Sequence, residues 1–168
     1  MEQVAVQYLS PDRLIHSGKA PGMHFKLLHE TNGVKEFVLI FSKGDEVVSG
    51  LNDFASQNKI TAARFTAIGA LSSASIAWFD LDKKSYKLNS IDEQVELVSL
   101  IGDIALYNNK PVVHGHLSVG FSDGSVKGGH LVEAICNPTI ELFITVFPLP
   151  LEKKVDTDTD LKLIHPEL

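Results

Sequence analysis

The side chains best suited to chemistry lie between Val112 and Glu133, VVHGHLSVGFSDGSVKGGHLVE, where His114, His116 and His130 fall within one short span. Three neutral imidazoles can hold a divalent ion and leave a coordination position open for water, the arrangement of a catalytic zinc site. Zinc is the expected ion, with nickel and iron as alternatives because imidazole suits them as well. A water held there can ionise near neutral pH and act as a nucleophile. Glu133 is the nearest candidate for moving its proton. The simpler account is that His116 and His130 are cross-strand neighbours sharing a polar face, with Glu133 a solvated strand residue.

Whether the three rings converge depends on the elements that carry them. Side chains alternate along a strand, so His114 and His116 project from one face with Cα atoms roughly 6–7 Å apart. Val113, Leu117, Val119 and Phe121 project from the other. Ser122-Asp123-Gly124-Ser125 reads as a turn, with Asp-Gly where positive φ is tolerated, so the chain returns antiparallel from Val126. A two-residue loop at Asp123-Gly124 pairs Phe121 with Val126 and sets His130 opposite Leu117, on the apolar face, with Glu133 across from His114. One extra residue, in a three-residue loop or in a bulge at Gly128-Gly129, flips His130 onto the face of the other two. Consecutive glycines suit a bulge or a close backbone approach, which favours the three-histidine face.

The remainder of the chain reads as scaffold. Its 168 residues suffice for one domain with a real core, expected over 1–150, followed by a tail over 151–168. Hydrophobic content of 44% with 21% charged residues is ordinary for a globular protein. A net charge of −6, with no dense basic run, argues against a general nucleic-acid surface. The lone Cys136 excludes an internal disulfide and fits a reducing compartment. No apolar run approaches a membrane span, and MEQVAVQYLSPDR lacks the regions of a secretory signal, so a cytoplasmic protein is expected.

Met1 to Glu30 reads as loop and short extended pieces, and any of its histidines, His16, His24 or His29, could fold over the metal site. Thr31-Asn32-Gly33 between apolar runs predicts a hairpin of Phe25 to His29 with Val34 to Phe41. Val47, Val48, Leu51, Phe54 and Ala55 recur at helical spacing and predict the one main helix, about residues 46–58, with Asp45 and Glu46 in its first turn. Strands are expected over Thr61 to Leu71, bent at Gly69, then over Ser75 to Phe79, Ser85 to Leu88, and Gln94 to Leu106 with a bulge at Gly102. After the histidine hairpin comes a last strand, Thr139 to Phe147, stopped by Pro148 and Pro150, and then an acidic tail expected to pack loosely. One helix among many strands predicts an α+β fold with a mostly antiparallel β-sheet.

His114-Gly-His-Leu-Ser-Val, then Ser122-Asp-Gly-Ser-Val-Lys-Gly-Gly-His-Leu-Val-Glu133, preceded by Phe65-Thr-Ala-Ile-Gly-Ala-Leu-Ser-Ser-Ala-Ser-Ile-Ala-Trp-Phe-Asp80, resembles the plants-and-prokaryotes-conserved (PPC) domain over about 36–147. The resemblance implies an antiparallel sheet beside a single main helix and assembly as a homotrimer. It also implies that the histidines kept by prokaryotic members fall on His114, His116 and His130. Plant members follow AT-hook segments that bind DNA, but this chain has no Arg-Gly-Arg-Pro core.

Two function classes follow. One is a metal-dependent small-molecule binder or enzyme acting at the histidine face, either within one chain or completed by a neighbouring subunit. The other is a trimeric DNA-associated or regulatory module, which the acidic balance disfavours. Apolar strands too numerous for one helix to cover give self-association a physical basis of its own.

Overall fold

The alternation of apolar and polar residues sets which face of the central strands is buried in the computed structural model, which describes residues 6–12 and 15–165. In chain order the elements are β1 (Tyr8–Leu9), β2 (His24–Thr31), β3 (Val34–Ser42), α1 (Val47–Gln57), β4 (Ala62–Asp80), β5 (Ser85–Ile91), β6 (Val95–Tyr107), β7 (Lys110–Gly120), β8 (Val126–Val146), β9 (Lys153–Val155) and β10 (Lys162–Ile164). Eight strands form one sheet in the order β1-β5-β4-β6-β7-β8-β3-β2, and β4 also pairs with β8. That second pairing closes β4, β6, β7 and β8 into a ring. Every ladder between these strands is antiparallel, and with the single helix this is an α+β fold. Among the described residues no helix is long and apolar enough to cross a membrane.

Asn32 and Gly33 take positive φ and close the β2–β3 hairpin between Thr31 and Val34, as Asn-Gly predicts. The helix spans almost the expected residues, but the acidic pair precedes its first turn instead of filling it. Glu46 is the N-cap, accepting from Val48 N–H at 2.9 Å and Ser49 N–H at 2.6 Å, so it answers donors that the helix cannot satisfy itself. Asp45 accepts from Gly22 and Ser42 N–H, both at 2.8 Å. The helix packs on β7 and β8 with Val47, Leu51, Phe54 and Ala55 fully buried. Each such large side chain contributes about 1.5–3 kcal/mol by leaving water.

Two expected breaks are absent. Ala62 to Leu71 and Ser75 to Phe79 belong to one strand, β4, and the histidine return strand continues into Thr139 to Val146 as β8. Irregular pairing absorbs what looked like interruptions. Leu71 pairs with Cys136 and Gly69 with Ile140, so Asn137, Pro138 and Thr139 face the single residue Ala70 and bulge without ending the strand. Gly69 does bend the chain: its φ is +152°, and a Cβ there would collide with the Thr139 carbonyl.

Gly102 carries no bulge; the β6 irregularity lies between Leu97 and Ser99. Gly102 sits opposite Gly115, and the Phe65 ring occupies the groove the pair leaves. The C-terminal segment is also more firmly held than its composition suggests. Leu106 N–H donates to the Leu151 carbonyl at 2.8 Å, Leu151 N–H to the Thr61 carbonyl at 3.2 Å, and the β9–β10 hairpin follows.

Candidate metal centre

The β7–β8 ladder runs from Gly120 opposite Val126 to His116 opposite His130 without a register shift. Phe121 N–H donates to the Ser125 carbonyl, and Gly124 N–H to the Phe121 carbonyl, each at 2.9 Å. Ser122, Asp123 and Gly124 therefore form a three-residue loop whose last member has φ +82°, the form in which a left-handed residue follows a type I turn. The extra residue that brings His130 beside His116 sits in this loop. There is no bulge at Gly128-Gly129 in this ladder; those glycines serve close approach. A Cβ on Gly129 would stand 2.7 Å from the Ala77 carbonyl oxygen, and one on Gly128 would stand 3.0 Å from that of Leu117.

The three rings form a nearly equilateral triangle. Centroids are 5.2 Å apart for His114 and His116, and 5.4 Å for each other pair. One nitrogen from each ring lies within 4.8 Å of the others. Leu117 and Val119 fill the opposite face of β7 and are buried in the core, so the strand cannot rotate its histidines inward without exposing them.

Neighbouring strands fix two of the rings. Ala77 of β4 pairs with both His130 and Leu88. Its methyl leaves room above the strand, where the Tyr86 ring of β5 stacks on His130 at 4.4 Å with planes 17° apart. On the other side Asp103 of β6 lies opposite His114, with Oδ2 3.3 Å from His114 Nδ1. Asp103 Oδ1 is 2.7 Å from Lys153 Nζ. Burial works to raise the Asp103 pKa, but the His114 bond and Lys153 outweigh it and hold the group below its ordinary value. His116 is the most exposed of the three, yet partial burial of its ring, and then nearby His114, lower its pKa. Both effects favour the neutral imidazole, the form that binds metal.

Glu133 is not a corner of the triangle. Ser75 pairs with Glu133 and Ile76 with Leu131, so Val132 is an extra residue that returns Glu133 to the His130 face, about 7 Å further along. It lines a cavity of about 220 Å³ together with Glu46, Ser75, Leu88, His16 and Lys19. Burial raises the Glu46 pKa despite three backbone donors from Ser49, Val48 and Ala134, and the Glu133 charge adds to the rise. His16 thus lines the cavity that Glu133 also lines and is not part of the histidine triangle, while His24 and His29 stand exposed on β2. Sequence reasoning missed Tyr86, Asp103 and Lys153. Asp103 is found only from the β6–β7 register, and Lys153 has no local signal.

The fold belongs to a known class. The chain is a member of the Plants and Prokaryotes Conserved (PCC) domain family, whose profile matches residues 28–148. A metal-containing protein from Archaeoglobus fulgidus is similar at 31% identity and TM-score 0.72, over 85% of this chain and 97% of that one. A plant- and prokaryote-conserved (PPC) protein from Pyrococcus horikoshii is similar at 29% identity and TM-score 0.73, over 86% and 97%. A Bacteroides thetaiotaomicron protein with a provisional DNA-binding name is similar at 25% identity and TM-score 0.78, over 86% and 99%. Comparison with curated proteins gives no match.

Proposed function

We propose that His114, His116 and His130 bind a divalent metal ion, zinc in the first instance with nickel and iron as alternatives, and that the protein is a metal-dependent small-molecule binder or enzyme. The observation that carries this is the triangle itself: three ligand nitrogens within 4.8 Å. Tetrahedral zinc with bonds of about 2.0–2.1 Å wants nitrogens about 3.4 Å apart, so each ring need move inward by less than about 1 Å. The metal-containing Archaeoglobus fulgidus relative agrees with this reading. When bound, the ion would supply a Lewis acid and an activated water. This chain's own residues supply the rest. Asp103 orients His114, the Tyr86 ring limits how far His130 can swing, and Glu133 on the same face is placed to hold or pass a proton toward the adjoining cavity.

Self-association as a homotrimer is part of the proposal. Ile101 and Phe143 flank Thr66 across the β6–β4–β8 ladders, and Ile68 and Val98 line one hollow further along β4 and β6. All four apolar side chains are exposed. A contiguous apolar patch on a sheet marks an interaction surface. Ile101 is also the cross-strand partner of His116, so an interface there would border the metal centre.

Elemental analysis of purified protein is the test. Near-stoichiometric zinc, nickel or iron in the wild type, lost in His116→Ala while the fold persists by circular dichroism, is the expected result. Metal-free protein that retards DNA at physiological salt would replace this reading with that of a DNA-associated module.

A further inference from the structure

The contacts around His114 do not stop at the sheet. We propose that Lys153, in the C-terminal segment, is a positioning residue for the metal centre: through Asp103 it fixes His114 with its proton on Nδ1 and its Nε2 turned to the ion. This rests on the three-histidine reading above and extends it beyond the family-matched residues, which end at 148. The support would therefore come from the C-terminal segment, outside those residues.

The argument begins with the carboxylate. Asp103 has two oxygens, and each faces a different partner: Oδ1 the Lys153 ammonium at 2.7 Å, Oδ2 the His114 ring at 3.3 Å. An ionised carboxylate only accepts, so the proton of the second contact is on His114 Nδ1. In a neutral imidazole this leaves Nε2 as the free lone pair. A carboxylate behind a ligating histidine is the usual way its tautomer and ring angle are set.

Lys153 locks the carboxylate in turn. Its side chain is 2% exposed, and an ammonium so enclosed is stable only when paired. The backbone delivers it to this place. Leu106, three residues beyond Asp103 on β6, donates to the Leu151 carbonyl and bridges Glu152 in parallel, and His165 N–H closes back on the Glu152 carbonyl at 2.9 Å. With one oxygen held by Lys153, Asp103 cannot turn both toward His114 or swing away from it.

Nuclear magnetic resonance of the full-length, metal-free protein tests this directly through long-range nitrogen–proton correlations of the histidine rings at mildly alkaline pH. His114 is expected as the Nδ1–H tautomer in the wild type, with the other tautomer gaining population in Lys153→Met. Zinc titration against a competing chelator should show Lys153→Met and Asp103→Asn weakened about 10- to 100-fold. A wild-type His114 protonated on Nε2 would overturn the proposal. So would a Lys153→Met protein that loses thermal stability yet keeps wild-type tautomer and zinc affinity, because a purely structural ion pair behaves that way. Should Lys153→Met not fold, Lys153→Gln, which also removes the ammonium from Asp103, is read by the same tautomer and zinc measurements. Absence of zinc binding in the wild type would remove the three-histidine reading, while the tautomer would still report on the relay.

Discussion

His116 and His130 face each other across the β7–β8 ladder with ring centroids 5.4 Å apart and planes 83° from parallel. Edge-to-face rings at this spacing cannot both take up protons without repulsion, and His114 is equally near. At His116 this setting favours the neutral imidazole.

This relationship sets a pH dependence. The His116 pKa is lowered, by burial and then by His114, so the folded state resists a proton that the unfolded chain accepts at about 6.5. Above that value the shift has no effect on stability. As pH falls through it the unfolded chain gains protons first and stability is lost, until the folded His116 also titrates. A histidine titration by nuclear magnetic resonance should place the His116 midpoint below the ordinary histidine value, and a higher midpoint would contradict the stated environment.

The glycine pair beneath His114 predicts an asymmetry. A Cβ on Gly102 would run into the His114 carbonyl and the Phe65 ring, whereas one on Gly115 would meet Leu100 and Phe65 at an ordinary 3.4 Å. Gly102→Ala should cost about 1–3 kcal/mol as an overpacked core does. Gly115→Ala should stay within about 1 kcal/mol of wild type. Urea denaturation of the two variants makes the comparison, and equal losses would contradict it.

The single cysteine should be inert. Cys136 is fully buried, and burial, reinforced by the Asp45 charge, pushes its pKa up to about 11. Thiolate is the reactive form. A thiol reagent at mildly alkaline pH should therefore label Cys136 only after denaturant is added.

Phe143 offers the simplest check on assembly. Replacing it with Asp puts a charge into the exposed apolar patch without touching the core, so folded Phe143→Asp protein should run as a monomer. Light scattering coupled to size exclusion reads the mass. A wild type that is already monomeric at micromolar concentration would dispose of the homotrimer.

Much of this site was legible because strand alternation and Asp-Gly turn chemistry act locally. The i,i+2 spacing of His114 and His116 put those two on one face, but Asp-Gly fits a two- or a three-residue loop, and the paired glycines that favoured bringing in His130 serve close approach while the loop supplies the extra residue. Strand lengths were harder to read, because Ser72, Ser73 and Pro138 signal interruption while long-range pairing turns the interruptions into bulges within β4 and β8. Asp103 and Lys153 stayed hidden for a different reason. Their partnership needs the β6–β7 register and a tail that folds back onto Leu106, and neither leaves a mark in the residues nearby.

The double pairing of β4 with β6 and β8 also decides where another polypeptide could add a strand. Taken as whole strands, β4, β6, β7 and β8 each have two neighbours in the closed ring, although β8 covers β7 only from His116 to Gly120, and the sheet's outer margins are β1 and β2. The longer margin is β2, where Phe25, Leu27 and Leu28 are exposed but interleaved with Lys26 and flanked by Glu30. Charges of that kind discourage edge-to-edge aggregation, so fibril-like association, if forced by neutralising them, would begin at a margin remote from the metal ligands.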